Sequence, residues 1–128
     1  MLTPAQIKRL KSLHQKKYRQ KEGKIILEGH RIILQALTSD ADIEKVWMTD
    51  NYAKSTSGIA LIQMLTEKNI VNETTSEISI ERVCDSHNSQ GLFAVMPLPE
   101  YESLAEIPRR SIFFDDISDP GNMGTLLR

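Results

Sequence analysis

Apolar positions follow two rhythms along this chain. Short runs of β-rich apolar residues alternate with stretches in which apolar side chains return every three or four positions. The first stretch, residues 4–22, has a helical rhythm carried only by Ile7, Leu10, Leu13 and Tyr18. Thr3 is placed to cap it, Pro4 to occupy the first helical position, Gln6 to complete a capping box, and Gly23 to end it. So narrow an apolar stripe predicts one helix on the domain surface. Residues 24–28 read as a buried strand that breaks at Gly29, and Ile32, Ile33, Ala36 and Leu37 mark a helix over 30–37. A strand over 43–48 follows, then a helix through Ile59, Ile62, Met64 and Leu65 and a short strand at 69–71. Ile78, Ile80 and Val83 predict a further helical segment, and residues 91–96 a clear strand closed by Pro97. Strands alternating with helices predict an α/β fold, here a small α/β/α sandwich around a central sheet.

The rhythm lapses at residues 97–110, which hold three of the five prolines and read as a linker. Residues 111–116 then restart as a strongly apolar strand, 117–121 as a turn, and 122–128 as the opening of a helix in which the sequence stops. The expected organisation is therefore a first domain over 1–96, a linker over 97–110, and the start of a second domain over 111–128.

Composition narrows the function classes. With 40% apolar and 26% charged residues the chain resembles an ordinary globular protein. No apolar run is long enough to span a bilayer, so no membrane partner is expected. Cys84 is alone, which excludes an internal disulfide or a thiolate cluster and suits a reducing compartment. The net charge of −1 conceals an asymmetry. Residues 1–31 hold nine Lys and Arg against Glu22 and Glu28, a balance of +7, and the remainder carries −8. Local field, not bulk charge, governs phosphate recognition. Taken alone, this basic run fits either a solvated helix face or a polyanion-binding one.

Chemistry concentrates in Phe113-Phe114-Asp115-Asp116-Ile117-Ser118-Asp119-Pro120-Gly121-Asn122-Met123-Gly124-Thr125-Leu126-Leu127-Arg128. Pro120 and Gly121 suit a tight turn at the carboxyl edge of a strand, where open α/β sheets place their ligands. Asn122 suits a helix cap, Gly124 allows close approach of a backbone or ligand, and Arg128 offers a guanidinium fork to phosphate. Asp-Pro-Gly-Asn by itself is usually a surface turn. With the preceding strand and the spaced Arg128, however, the segment closely resembles the first signature motif of the SpoU/TrmH family of RNA ribose 2′-O-methyltransferases, members of the SPOUT superfamily. Residues 15–23 followed by Ile26-Leu27-Glu28-Gly29 resemble the start of that family's substrate-binding domain. Residues 89–95 resemble its end, with Ser89 where a proline is usual.

The resemblance implies methyl transfer from S-adenosylmethionine to a ribose 2′-hydroxyl of ribosomal or transfer RNA. It also implies a knotted α/β catalytic domain, of which 111–128 would be the first strand and helix start, and a homodimer formed through the knot. The later motifs of the family do not occur in these 128 residues, so by itself this stretch is expected neither to bind the cofactor tightly nor to methylate. By resemblance Asn122 and Arg128 match the motif residues that shape the site and engage RNA, with Asp119, Pro120, Gly121 and Gly124 forming the motif turn. An ordinary guanidinium stays protonated, which favours electrostatic positioning over a base role for Arg128.

Candidate RNA contacts are Lys16, Lys17, Arg19, Lys21, Glu28, Gly29 and Arg31; for Glu28 and Gly29 a structural turn is an equal reading. His14, His30 and His87 have no metal-ligand spacing and read as surface or turn histidines, and no metal is expected. Cys84 reads as a buried hydrophobe, and Trp47 and Met48 as core. Two other functions remain open: a stand-alone RNA-binding module, and a phosphate-binding enzyme that turns its Asp-Pro-Gly-Asn segment to a nucleotide. The cytoplasm is the expected location. The acid-free first 21 residues also permit a mitochondrial matrix protein.

Overall fold

The computed structural model describes residues 1–39, 41–85, 89–100 and 108–128. In chain order the elements are α1 (Pro4–Ser12), α2 (Lys16–Glu22), β1 (Lys24–Glu28), α3 (His30–Thr38), β2 (Lys45–Met48), α4 (Asp50–Ala53), α5 (Thr56–Glu67), β3 (Val71–Thr74), α6 (Glu77–Val83), β4 (Leu92–Pro97) and α7 (Pro120–Leu126). The four strands form one sheet in the order β1-β4-β2-β3. β4 runs antiparallel to both neighbours, with Ile26 opposite Val95 on one side and Trp47 opposite Phe93 on the other, and β2 pairs parallel with β3.

Strict alternation along the strands builds two cores. Leu27, Val46, Met48, Leu92 and Ala94 face α3 and α5, where they meet Ile33, Leu37, Leu61 and Leu65. The intervening Trp47, Phe93 and Val95 face α1 and α6, where they meet Leu10, Leu13, Ile80 and Val83. Period-two side-chain alternation sends neighbouring residues to opposite faces, so β4 is buried on both and Phe93 is fully enclosed. The expected α/β/α sandwich is what these contacts form.

Several local expectations change. The long first helix is two helices. Its capping box at Thr3 and Gln6 is present, but the helical ladder gives way to tighter bonds, Leu13 N–H to Leu10 O and Gln15 N–H to Ser12 O. The Arg19 guanidinium donates to the carbonyls of Leu13 and His14 at 3.2 and 2.5 Å, and Leu13 is buried. The bend lets α1 lie on one face of the sheet while α2 folds back along β1. Gly23 closes α2 in the left-handed conformation, φ 62°, as its position predicts.

β1 is an edge strand in which only Leu27 is fully buried, not the interior strand its composition suggests. β3 begins at Val71 and not at residue 69, because Asn69 takes a left-handed φ of 55° to end the α5 turn. The turn helix α4, capped by Thr49, has no apolar period to reveal it. Pro97 closes β4 from within, paired with Lys24.

Larger corrections fall at the end of the chain. Residues 111–116 do not form a strand. They pair with none of the four strands, and Ile112 and Phe113 are exposed. A strand needs a neighbour for its backbone groups, and these residues have none alongside. Pro120 and Gly121 are not a turn before a helix but its first residues, and the cap is Asp119, whose carboxylate accepts from Asn122 N–H at 2.7 Å. Asn122 is therefore inside the helix. Of the expected linker, residues 101–107 lie outside the described residues, as does His87.

Gly58 gives a direct test of this packing. A Cβ built there would sit 1.9 Å from the Tyr52 carbonyl oxygen, where α5 crosses α4. Gly58→Ala should destabilise the chain by about 2–3 kcal/mol or more, since a backbone atom must move. Gly23→Ala, left-handed but with open space around it, should cost about 1 kcal/mol. Urea unfolding followed by circular dichroism reads both, and equal midpoints for the two variants would contradict the packing.

Candidate nucleic-acid interface

At one edge of the sheet each of the four strands either ends or begins, and the turns that join them to the helices collect there. β1 delivers Gly29 and α3, β2 delivers Thr49 and α4, β3 delivers Thr75 and α6, and β4 starts there after Gln90 and Gly91. Backbone bonds tie the turns together: Gly29 N–H to Leu92 O at 3.2 Å, Thr49 N–H to Gly91 O at 2.8 Å and Thr75 N–H to Met48 O at 2.8 Å. Gly29 (φ 91°) and Gly91 (φ 75°) hold conformations that other residues rarely adopt. At Gly91 a Cβ would also press within 2.7 Å of Thr49 Oγ1.

A groove of about 350 Å³ opens at this edge, lined by Glu28, Gly29, His30, Arg31, Gln90 and Arg128 among others. It brings together four residues singled out from the sequence: Glu28, Gly29, Arg31 and Arg128. The bend between α1 and α2 reaches the same edge. His14 Nε2 donates to the Val83 carbonyl at 2.7 Å and stands 3.4 Å from Glu28, and its Nδ1 lies 3.5 Å from Asp85. Lys16 and Lys17, two and three residues beyond His14, open α2 and are exposed, without lining the groove itself. Lys21 lies a turn further along α2, toward the other end of β1.

The basic residues of the first 31 divide into two groups. Arg9 is held by Glu22 at 2.8 Å, which raises its guanidinium pKa further, and Lys24 is held by Glu44 at 2.6 Å. Arg19, a candidate RNA contact, turns inward to the carbonyls of the α1–α2 bend and serves the fold. Lys8, Lys11, Lys16, Lys17, Lys21 and Arg31 are exposed, and none has an ion-pair partner among the described residues. Glu28 also has a structural role, since its carboxylate accepts from Asp85 N–H at 2.9 Å.

The motif residues stand apart from this edge, except for Arg128. Asp116, Ser118, Asp119 and Asn122 surround a depression of about 470 Å³, and each of them is exposed. No enclosed apolar wall is present there to hold an adenine ring, so these residues do not by themselves fit S-adenosylmethionine. Gly124 has nothing within 4 Å of where a Cβ would lie. Neither Tyr52 nor the role of Gln90 is legible in the sequence. Tyr52 and His30 Nδ1 share a hydrogen bond of 2.5 Å, and Gln90 Oε1 accepts from His30 N–H at 3.0 Å. Burial raises the Tyr52 hydroxyl pKa, keeping it protonated. Gln90 takes a left-handed φ of 54° next to Gly91.

Fold and site together define a class: an α/β sandwich whose strand-end edge carries unneutralised cations on preorganised turns, an arrangement suited to a polyanion. Residues 5–94 match the family model described as MRM3-like substrate binding domain, and the chain belongs to that family. Among curated relatives, the 23S rRNA (guanosine(2553)-2′-O)-methyltransferase RlmP of Bacillus subtilis is 30% identical over 122 residues. The rRNA methyltransferase 3, mitochondrial, of Xenopus tropicalis is 29% identical over 121 residues. These alignments cover 95% and 88% of this chain, but the chain spans only 45% and 28% of the two relatives' own lengths. A crystal structure of an RNA 2′-O ribose methyltransferase superposes with a TM-score of 0.72 at 23% identity. It covers 98% of this chain and 48% of that one, a likeness of fold.

Cys84 lies under this edge, the buried hydrophobe expected from the sequence. Burial, then the neighbouring Glu28 carboxylate, push its thiol up to about 12. The thiolate is the reactive form, so at pH 8 the native thiol should react on the order of a thousandfold more slowly than an ordinary one. A thiol-disulfide reagent followed by absorbance should show a slow native reaction that becomes fast in urea. Equal rates in both states would place Cys84 outside the core.

Proposed function

We propose that this chain is the substrate-binding front part of an S-adenosylmethionine-dependent RNA ribose 2′-O-methyltransferase, acting on ribosomal or transfer RNA. The observation that supports the reading is a groove lined by Arg31 and Arg128, with Lys16 and Lys17 exposed at the start of α2, within a chain of the substrate-binding family. Unpaired surface cations release counterions from a phosphate backbone on binding. The preorganised turns hold the groove in shape, so little further ordering is required. The proposed organisation keeps residues 1–96 as the RNA-binding domain, 97–110 as a linker, and 111–128 as the start of the catalytic domain. S-adenosylmethionine supplies the methyl group when bound. Its pocket, and the dimer contact, belong to segments beyond Arg128. The apolar residues of 111–116 then pair within the sheet of that second domain. No helix is long and apolar enough to cross a membrane among the described residues, and the relatives include bacterial and mitochondrial proteins. We assign the protein to the cytoplasm, with the mitochondrial matrix as the alternative.

Within this reading Arg128 holds an RNA phosphate and polarises the ribose hydroxyl through its fixed positive charge. Asn122, inside α7, orients the reacting groups, and Asp119 holds the helix start.

Two measurements test the proposal. Lys16→Glu with Lys17→Glu should weaken binding of structured RNA and reduce the salt slope of log K by about 2, as expected for two lost phosphate contacts. Lys21→Glu alone should do less, because Lys21 lies at the far end of α2 from the groove. Filter binding across a salt series reads this, and unchanged affinity in the double variant overturns the interface. In the complete enzyme, Arg128→Ala should slow single-turnover methyl transfer by about a hundredfold or more while cofactor affinity holds. Asp119→Ala is the structural control and should cost about 1 kcal/mol of helix stability by removing a cap. An Arg128→Ala enzyme retaining most of its rate overturns the assignment of Arg128.

A further inference from the structure

A second groove, of about 260 Å³, lies on the other side of Gln90 and has the opposite electrostatic character. Its lining includes Asn51, Tyr52, Glu77, Glu81 and Gln90. The two grooves are neighbours: Gln90 lines both, and the hydrogen bond of 2.5 Å joins His30 on the first to Tyr52 on the second. Glu77 is oriented by Asn51, whose Nδ2 donates to Glu77 Oε1 at 2.9 Å. Glu81 stands one helical turn away on α6 and has no partner among the described residues. The Gln90 side-chain oxygen is occupied by His30 N–H, which leaves its amide N–H groups free to donate.

A phosphate is repelled from this second groove by two carboxylates. What fits is a neutral planar ring that stacks on or against the half-buried Tyr52 and presents hydrogen-bond donors to carboxylate. Guanine offers N1–H and the 2-amino group side by side, a pair of donors matched to the two oxygens of one carboxylate. The groove volume admits a single base and not a duplex, and unpaired bases are what proteins read in RNA through aromatic contacts and exposed edges.

We infer that the groove of Tyr52, Glu77, Glu81 and Gln90 is a nucleobase pocket that selects an unpaired guanine, with the adjoining phosphate in the cationic groove beyond Gln90. The inference rests on the RNA-binding function proposed for this chain and adds to it a named specificity element. Cation and carboxylate divide the labour: the first groove holds any strand, and the second distinguishes one base from another.

The decisive comparison is between the 128-residue chain and its Glu77→Gln, Glu81→Gln double variant. Both side chains are exposed, so folding should be unaffected, as circular dichroism would verify. The probes are short oligouridines carrying one central guanosine, inosine or adenosine, titrated by fluorescence anisotropy. Inosine lacks only the 2-amino group. The unsubstituted chain should prefer guanosine over inosine by about tenfold, the value of one hydrogen bond to a charged acceptor. The double variant should reduce that ratio to within about twofold while plain oligouridine binding persists. Equal binding of guanosine and inosine by the unsubstituted chain overturns the inference and leaves the RNA-binding function standing. A preference that survives the double substitution overturns it equally. Absence of salt-dependent binding to every oligomer overturns the RNA-binding function itself, and this inference with it.

Discussion

The double burial of β4 is the constraint on which the rest of the molecule depends. Phe93 and Val95 face one helical layer and Leu92 and Ala94 the other, so neither layer can shift without exposing the opposite side of the same strand. Trp47 stacks on Phe93 with ring centroids 5.1 Å apart, linking β2 to this arrangement, and offset aromatic stacking adds to the area buried. With β4 antiparallel to both neighbours, its first residues stand where β1 and β2 end. The turns at Gly29, Thr49 and Gln90 are thereby brought to one edge, although they are far apart along the chain.

That edge acquires its chemistry by subtraction. Arginines 9 and 19 and Lys24 are drawn into contacts that hold helices and strands together, while the lysines entering α2 and Arg31 stay exposed. A positive field thus survives where the fold leaves charges unmatched, not where basic residues are most numerous. Exposed pairs of the Arg9–Glu22 kind contribute little to stability; here their larger effect is to localise the cationic surface. Gln90 then separates a cationic groove from a carboxylate-lined one within a single hydrogen-bonded cluster.

The terminal motif shows a different dependence. Its helix forms locally, because Asp119 caps it and Pro120 fits its first position. Local chemistry suffices there. The apolar residues before it have no such local solution, since a strand is completed only by its neighbours.

Much of this protein was legible in the amino-acid order. The continuous apolar run at 92–96, the helical spacing of Ile33 and Leu37, the capping box at Thr3 and the stop at Gly23 are local signals. Each reports which face of an element is buried or where an element ends. The resemblance carried by residues 113–128, Glu28-Gly29 and Gln90-Gly91 pointed to the family, which the match over 5–94 establishes. Tertiary structure alone decided the bend at Leu13, the edge position of β1, the inward turn of Arg19 and the meeting of Tyr52 with His30. Those outcomes depend on groups far apart in the chain: His14 on Val83, Gly58 on Tyr52, Glu28 on Asp85. Periodicity records the burial of one element at a time, whereas a groove is made by several, and only the packed sheet determines which charges remain without partners.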